Sequence, residues 1–396
     1  MRISINICIL ISASLIFAVL PAGASTVSAT SANFKDVFAN AKGGDTIMLS
    51  GSFGSVALVG KSWSNAVTIN AVHAVFTDTL TISNVDGLSF VGGKFGSKTA
   101  TMRAGRAIGV YGGSNIRFSK AMVYGNGTGT GKGLTFTGTT DVNVSGSNFS
   151  GLRSAVGVNG VERVLFSNNK VTAATSDGFD IANSHFVTAQ GNRCSASLVS
   201  VGSHPDCIQL WSLAGQPVQS DIKLIGNFAT GRTQGFTSFD PERGGGLRIT
   251  MSGNHVDTSY PQGIACYNCV DSIFTGNILT TQAGANFRTV LRVIGGSNNI
   301  IAGNIIGAFK AGASADFRMT GPGGWDEALP FDFAAESDAL RADLALLHAG
   351  LPGLATFVDA AVPGAAGAVP EPLIWAQMLA GLALVGSALR RQRQAA

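Results

Sequence analysis

Charge is scarce in this chain. Lys, Arg, Asp and Glu together make up 13% of its 396 residues, and the net charge is only +4. With 45% hydrophobic residues, the composition is not that of a disordered chain. No basic block of the kind that grips a phosphate backbone occurs, so no nucleic-acid partner is expected. Cys266-Tyr267-Asn268-Cys269 has CxxC spacing but no second pair, which argues against a zinc site and leaves no metal site assigned. Neither a Ser-His-Asp pattern nor a phosphate loop is visible. Leucine at the fixed spacing of a leucine-rich repeat is missing, and so is the longer period of a propeller blade.

What is abundant is glycine, at 52 residues, with many Asn, Ser and Thr, a composition of turns. A short motif recurs: apolar residues, a turn, then Gly-Asn or Asn-Asn. Its copies close on Asn148, Asn169, Asn192, Asn227, Asn254, Asn277 and Asn304. A second, period-two motif is interleaved with it. Its first apolar positions are Ile108, Leu134, Val156, Phe179, Ile208, Phe236, Ile264 and Leu291, at steps of 22 to 29 residues. Two short strands plus turns in each such period suit one coil of a parallel β-helix, which buries its apolar positions only when neighbouring coils stack. The asparagines have two physical uses. They tolerate left-handed turns, and their amides can bond along a ladder.

The fold class expected is all-β, a single-stranded right-handed parallel β-helix over residues 25–310. A short amphipathic helix at Phe34 to Ala41 would cap its first coil. Residues 311–368 are expected to form a C-terminal cap or linker. Leu340, Leu344 and Leu347 have helical spacing there, and Gly350 is a stop.

The two ends carry targeting signals. Residues 1–24 hold Arg2, an apolar run over 7–20 and Ala22-Gly23-Ala24, as in a signal peptide cut before Ser25. Export would place Cys194, Cys207, Cys266 and Cys269 in an oxidising compartment, with three disulfide pairings open. At the other end, Val369-Pro370-Glu371-Pro372 precedes an apolar run over 373–389 and then Arg390-Arg391-Gln392-Arg393. This tail, over residues 369–396, resembles the PEP-CTERM sorting signal of bacteria. The resemblance implies an exosortase as processing partner, a transient transmembrane helix and delivery to the cell surface. A permanent single-span anchor is the alternative.

Aligning the second motif across coils gives candidate columns. Asp177, Asp206, Gln234, Gln262 and Thr289 fall where the strand begins, and Asp180, Gln209, Thr237, Ala265 and Arg292 should point outward. Trp211, Phe239 and Tyr267 follow on that outer face, as a platform for sugar rings or an aromatic stack under a loop. Coils lie about 4.8 Å apart, so Asp177 and Asp206 would meet as a carboxylate pair, with Asp180 nearby. Such a pair raises one pKa and supplies an acid and a base or nucleophile; the plainer alternatives are turn capping or cation binding. The pair reaches the surface only from the turn before the strand, because it shares core parity. His204 could shuttle a proton beside it. Asp240 and Glu242 fall on the loop after the next strand, with Arg243 and Arg248 near, and suit a calcium site or contacts to acidic sugars. Arg248 and Arg292 are the basic candidates in a groove.

Ser176-Asp177-Gly178-Phe179-Asp180 and Pro205-Asp206-Cys207-Ile208 resemble the pectin-lyase-like superfamily, whose polygalacturonase-type members carry Asn-Thr-Asp and then Asp-Asp-Cys-Ile. By that likeness Asp177 and Asp206 would be catalytic. This chain has Thr175-Ser176-Asp177 instead, has Pro205 in place of the first Asp, and lacks the His-bearing third motif near Gln234-Gly235. Uncharacterised bacterial β-helix repeat proteins are similar too. Two functions are therefore expected: a secreted lyase or hydrolase acting on a polysaccharide in the groove, or a noncatalytic surface protein that binds or organises exopolysaccharide.

Overall fold

A computed structural model describes residues 23–102, 104–195, 205–212, 215–238 and 245–306, and the backbone of two further short strands, Asp316–Phe317 and Leu329–Pro330. The predicted signal peptide falls almost wholly outside these residues. So do the helical segment near Leu344, the sorting tail, His204, Phe239, Asp240, Glu242 and Arg243.

The chain winds as a parallel β-solenoid of about nine coils. Each full coil contributes three strands, not the two expected. Successive coils pair in parallel, strand upon strand, in three sheets. The first sheet runs through Arg106–Tyr111, Lys132–Thr137, Ser154–Asn159, Phe179–Ala182, Asp206–Trp211, Gln234–Ser238, Gln262–Tyr267 and Val290–Ile294. The second includes Thr140–Ser145, Glu162–Ser167, His185–Gln190 and Lys223–Ile225. The third is built of strands such as Asn148–Ser150, Lys170–Thr172 and Arg193–Ser195. Each of these three holds one inward side chain, Phe149, Val171 or Cys194. One apolar residue between two polar ones is too short an alternation to read as a strand.

The interior is apolar and stacked in register. Phe53, Phe76 and Phe95 lie face to face at centroid spacings of 4.8 and 4.9 Å, and Phe90 stacks on Phe118 at 5.0 Å. Like side chains from successive coils meet because the register repeats, so each coil's apolar surface is covered by the next. The helix Phe34–Asn40 buries Phe34 and Phe38, which pack edge-on against Phe53 and Trp63. Among the described residues no helix is long and apolar enough to cross a membrane.

The Gly-Asn motif divides its two tasks between its two residues. Gly191, Gly226, Gly253, Gly276 and Gly303 take the left-handed backbone at the corner between the second and third sheets, as does Asn168. The asparagine that follows turns inward and joins a ladder. The Asn227 Nδ2 donates to Asn254 Oδ1 at 3.1 Å and to the Ala189 carbonyl at 2.8 Å, and its N–H donates to Asn254 Oδ1 at 2.9 Å. Asn169, Asn192, Asn254 and Asn277 repeat the pattern. The first copy is shifted. Ser147 holds the ladder position and its N–H donates to Asn169 Oδ1, while Asn148 is exposed.

Among the described residues the four cysteines form the disulfides Cys194–Cys207 and Cys266–Cys269. The first joins the third sheet to the strand that carries Asp206. The second closes the CxxC, so its sulfurs are engaged with each other.

Candidate functional site

The first sheet carries the site. Its register aligns Asp180 with Gln209, Gln209 with Thr237, Thr237 with Ala265 and Ala265 with Arg292, the outward column expected from the sequence. Phe179, Ile181, Ile208 and Leu210 point into the core, and Gln209 and Trp211 do not. Trp211 is half-buried and its indole N–H donates to Asp180 Oδ1. Tyr267 lies on the same outer side, with its hydroxyl receiving Gln262 Nε2 at 3.4 Å.

The carboxylates come together, but not on an open surface. Asp206 is the first residue of its strand and is fully buried; Asp177 is 7% exposed. The expectation that both sit on an exposed turn is thus corrected. The physical reason is the bonding that each finds. The Asp206 N–H donates to Asp177 Oδ1 at 3.1 Å, Ser176 Oγ donates to Asp177 Oδ2 at 3.0 Å, and Thr237 Oγ1 donates to Asp206 Oδ1 at 2.9 Å. Thr237 alternates with the inward Phe236 and Ser238, so the Asp206 carboxylate lies on the outer side of the sheet and has no exposed surface.

Burial, then the charge of Asp206, then that of Asp180, push Asp177 up to about 7. At neutral pH this group can hold a proton or release it. Asp180 stands one pleat further on, partly exposed and held by Trp211. A proton-bearing carboxyl beside other carboxylates on one sheet is an arrangement suited to acid–base work.

Arg292 sits in the outward column, three coils beyond Gln209. Arg248 does not. It lies on the turn before Thr250–Ser252 in the second sheet, and both its Nε and Nη2 bond Asp221 at 2.7 Å. Paired in that way it stabilises a corner and is not presented with the outward column. Among the described residues no group of three or more His, Cys, Asp or Glu is arranged to hold a metal ion.

Sequence reasoning stopped the columns at Asp177, but the register carries them further towards the N-terminus. The Asp177 column continues in register as Ser154, Lys132 and Arg106, and the Asp180 column as Gly157, Thr135 and Gly109. The period-two motif already held these positions, which carry neither a carboxylate nor an aromatic ring. Arg106 is held there, with Nη1 donating to the Tyr111 hydroxyl at 2.8 Å and to Thr135 Oγ1 at 3.3 Å.

No protein-family model matches this chain, and no curated protein matches it. Solved structures do show a loose likeness. An alginate lyase from Paenibacillus sp. str. FPU-7 is 16% identical, over 71% of this chain and 99% of its own, with a TM-score of 0.44. The pectate lyase Pel9A is 12% identical, over 70% of this chain and 80% of its own, at 0.45. PfbA, a surface adhesin of Streptococcus pneumoniae, is 9% identical, over 69% and 86%, at 0.44.

Proposed function

We propose that this chain is an exported, polysaccharide-active β-helix protein that takes a glycan along the outer face of its first sheet. The observation that carries the proposal is Asp177, a carboxyl pushed up to about 7 beside Asp206 and Asp180. In its protonated form Asp177 is the general acid, giving its proton to the glycosidic oxygen as the bond to the sugar breaks. Asp180, the more exposed carboxylate, faces the sugar as base or nucleophile. Burial, and after it the charge of Asp206, keeps the proton on Asp177.

A noncatalytic role in binding exopolysaccharide has one observation in its favour. Asp206 is fully buried and held by Thr237, as a purely structural carboxylate would be. The two are separated by incubating purified residues 25–368 with acidic and neutral polysaccharides. New reducing ends indicate hydrolysis, unsaturated uronate absorbance indicates a lyase, and binding without either indicates a matrix protein.

Delivery belongs to the same proposal. The signal peptide exports the chain, the apolar run over 373–389 holds it in the membrane, and an exosortase cuts near Pro370-Glu371-Pro372 to release it to the surface. Intact-mass analysis of surface-released protein is expected to show no residues beyond this region. A mass that includes 373–389 would contradict it.

A further inference from the structure

The outward column of the first sheet changes character on the two sides of Asp180. Towards the C-terminus it passes half-buried Gln209 to Thr237 and Ala265, which have no exposed surface. A ligand cannot lie on residues that are already covered. Towards the N-terminus the next position is Gly157, in the strand Ser154–Asn159.

Glycine inside a strand weakens it, and the fold offers no reason for one here. Gly157 is not among the residues with positive φ, and a Cβ built on it would meet nothing closer than Thr135 Cγ2 at 3.8 Å. Neighbouring glycines differ. A Cβ on Gly133 would come within 2.3 Å of the Ala155 carbonyl oxygen, and one on Gly178 within 2.6 Å of the Cys207 carbonyl oxygen. A Cβ on Gly109 would press on Arg106 Cδ and the Tyr111 ring, both at 3.1 Å. Those three glycines make room for parts of the protein; Gly157 leaves room open to the outside. Bare backbone of that kind marks a place that a ligand approaches closely.

We propose that one sugar ring of the glycan sits flat on the bare strand at Gly157, so that the polymer runs from Asp177 and Asp180 towards the N-terminal coils. The seat has a wall on each side. One is Asp180 with its Trp211 partner; the other is Arg106, held against Thr135 and Tyr111. Thr135 and Asp180 are two coils apart, about 10 Å, a gap that takes one ring lying across the strand. Asp180 accepts from ring hydroxyls and Arg106 donates to ring oxygens. This seat rests on the glycan function proposed above.

The test is calorimetric titration of the mature protein with oligosaccharides of uronic acids, of glucose and of fructose. Gly157→Leu is expected to weaken binding at least tenfold with no fall in thermal midpoint, since its side chain fills the seat and not the fold. Gly157→Ala is expected to weaken it several-fold and carries the test if the leucine variant does not fold. Thr188→Leu, which adds similar bulk to the outer face of the second sheet, is expected to bind as wild type does. Wild-type affinity in both Gly157 variants would overturn the seat and leave the glycan function standing. Failure of the wild-type protein to bind any of the oligosaccharides would overturn both.

Discussion

Replacing Asp177 by asparagine is expected to stabilise the protein at neutral and alkaline pH and to leave it unchanged in acid. The folded chain holds Asp177 at about 7, against 3.8 for an ordinary aspartate. Folded protein therefore keeps a proton that unfolded protein releases. The contribution of this group is whole below about pH 4 and is lost as pH rises towards 7, the opposite of a salt-bridged carboxylate. Over that window the loss is on the order of 4 kcal/mol. Asparagine has the same shape, still accepts the Asp206 N–H through its Oδ1, and carries no charge to expose to Asp206 and Asp180. Urea unfolding at a series of pH values should show the variant and wild type coinciding in acid and diverging through neutrality, with the variant the more stable. Parallel curves would mean that Asp177 titrates like a surface carboxylate.

The second large effect concerns the ladder. Asn227→Ala should cost about 3 kcal/mol or more. It removes the side chain that receives the Asn192 N–H and Nδ2, each at 3.0 Å, and that donates to the Ala189 carbonyl and to Asn254. Asn227 is 1% exposed, so water cannot replace these bonds, and each buried group left alone costs about 1–3 kcal/mol. Asn304→Ala, at the far end of the described ladder and half-exposed, should cost clearly less. The difference in denaturant midpoint between the two variants measures the point. Equal and small losses would show that stacked aromatic and aliphatic side chains alone hold the coils in register.

The sequence made the solenoid legible because one coil repeats its physics many times. Ile208, Phe236, Ile264 and Leu291 must all fill the same interior, so a period-two pattern at steps of 27 to 28 residues is seen again and again. The outward column from Asp180 to Arg292 followed from the same parity. The third strand was missed because Val171 or Phe149 between two polar neighbours carries no alternation of its own. The corner chemistry was half legible: Gly-Asn announces a turn, but only the register shows that the glycine bends the chain while the asparagine bonds its neighbours.

Less of the site could be read, and for a different reason. Asp177 and Asp206 were found by their alignment, but their burial depends on what covers the sheet's outer side. A covering segment leaves no periodic trace in the strand that it covers. Thr237 and Ala265 look like solvent-facing positions in sequence and have no exposed surface in the fold. Arg248 looked available until Asp221, 27 residues earlier, was seen to hold it. Gly157 was invisible among 52 glycines, because only the space around it distinguishes a glycine the backbone requires from one it does not.

The most direct measurement is glycan turnover as a function of pH, by wild type and by Asp177→Asn, on the polysaccharide that yields new reducing ends. With Asp177 as the proton donor, wild-type turnover falls as pH rises through about 7, and the asparagine variant, although folded and still able to bind, shows none. Turnover that persists in the Asp177→Asn variant would contradict the assignment.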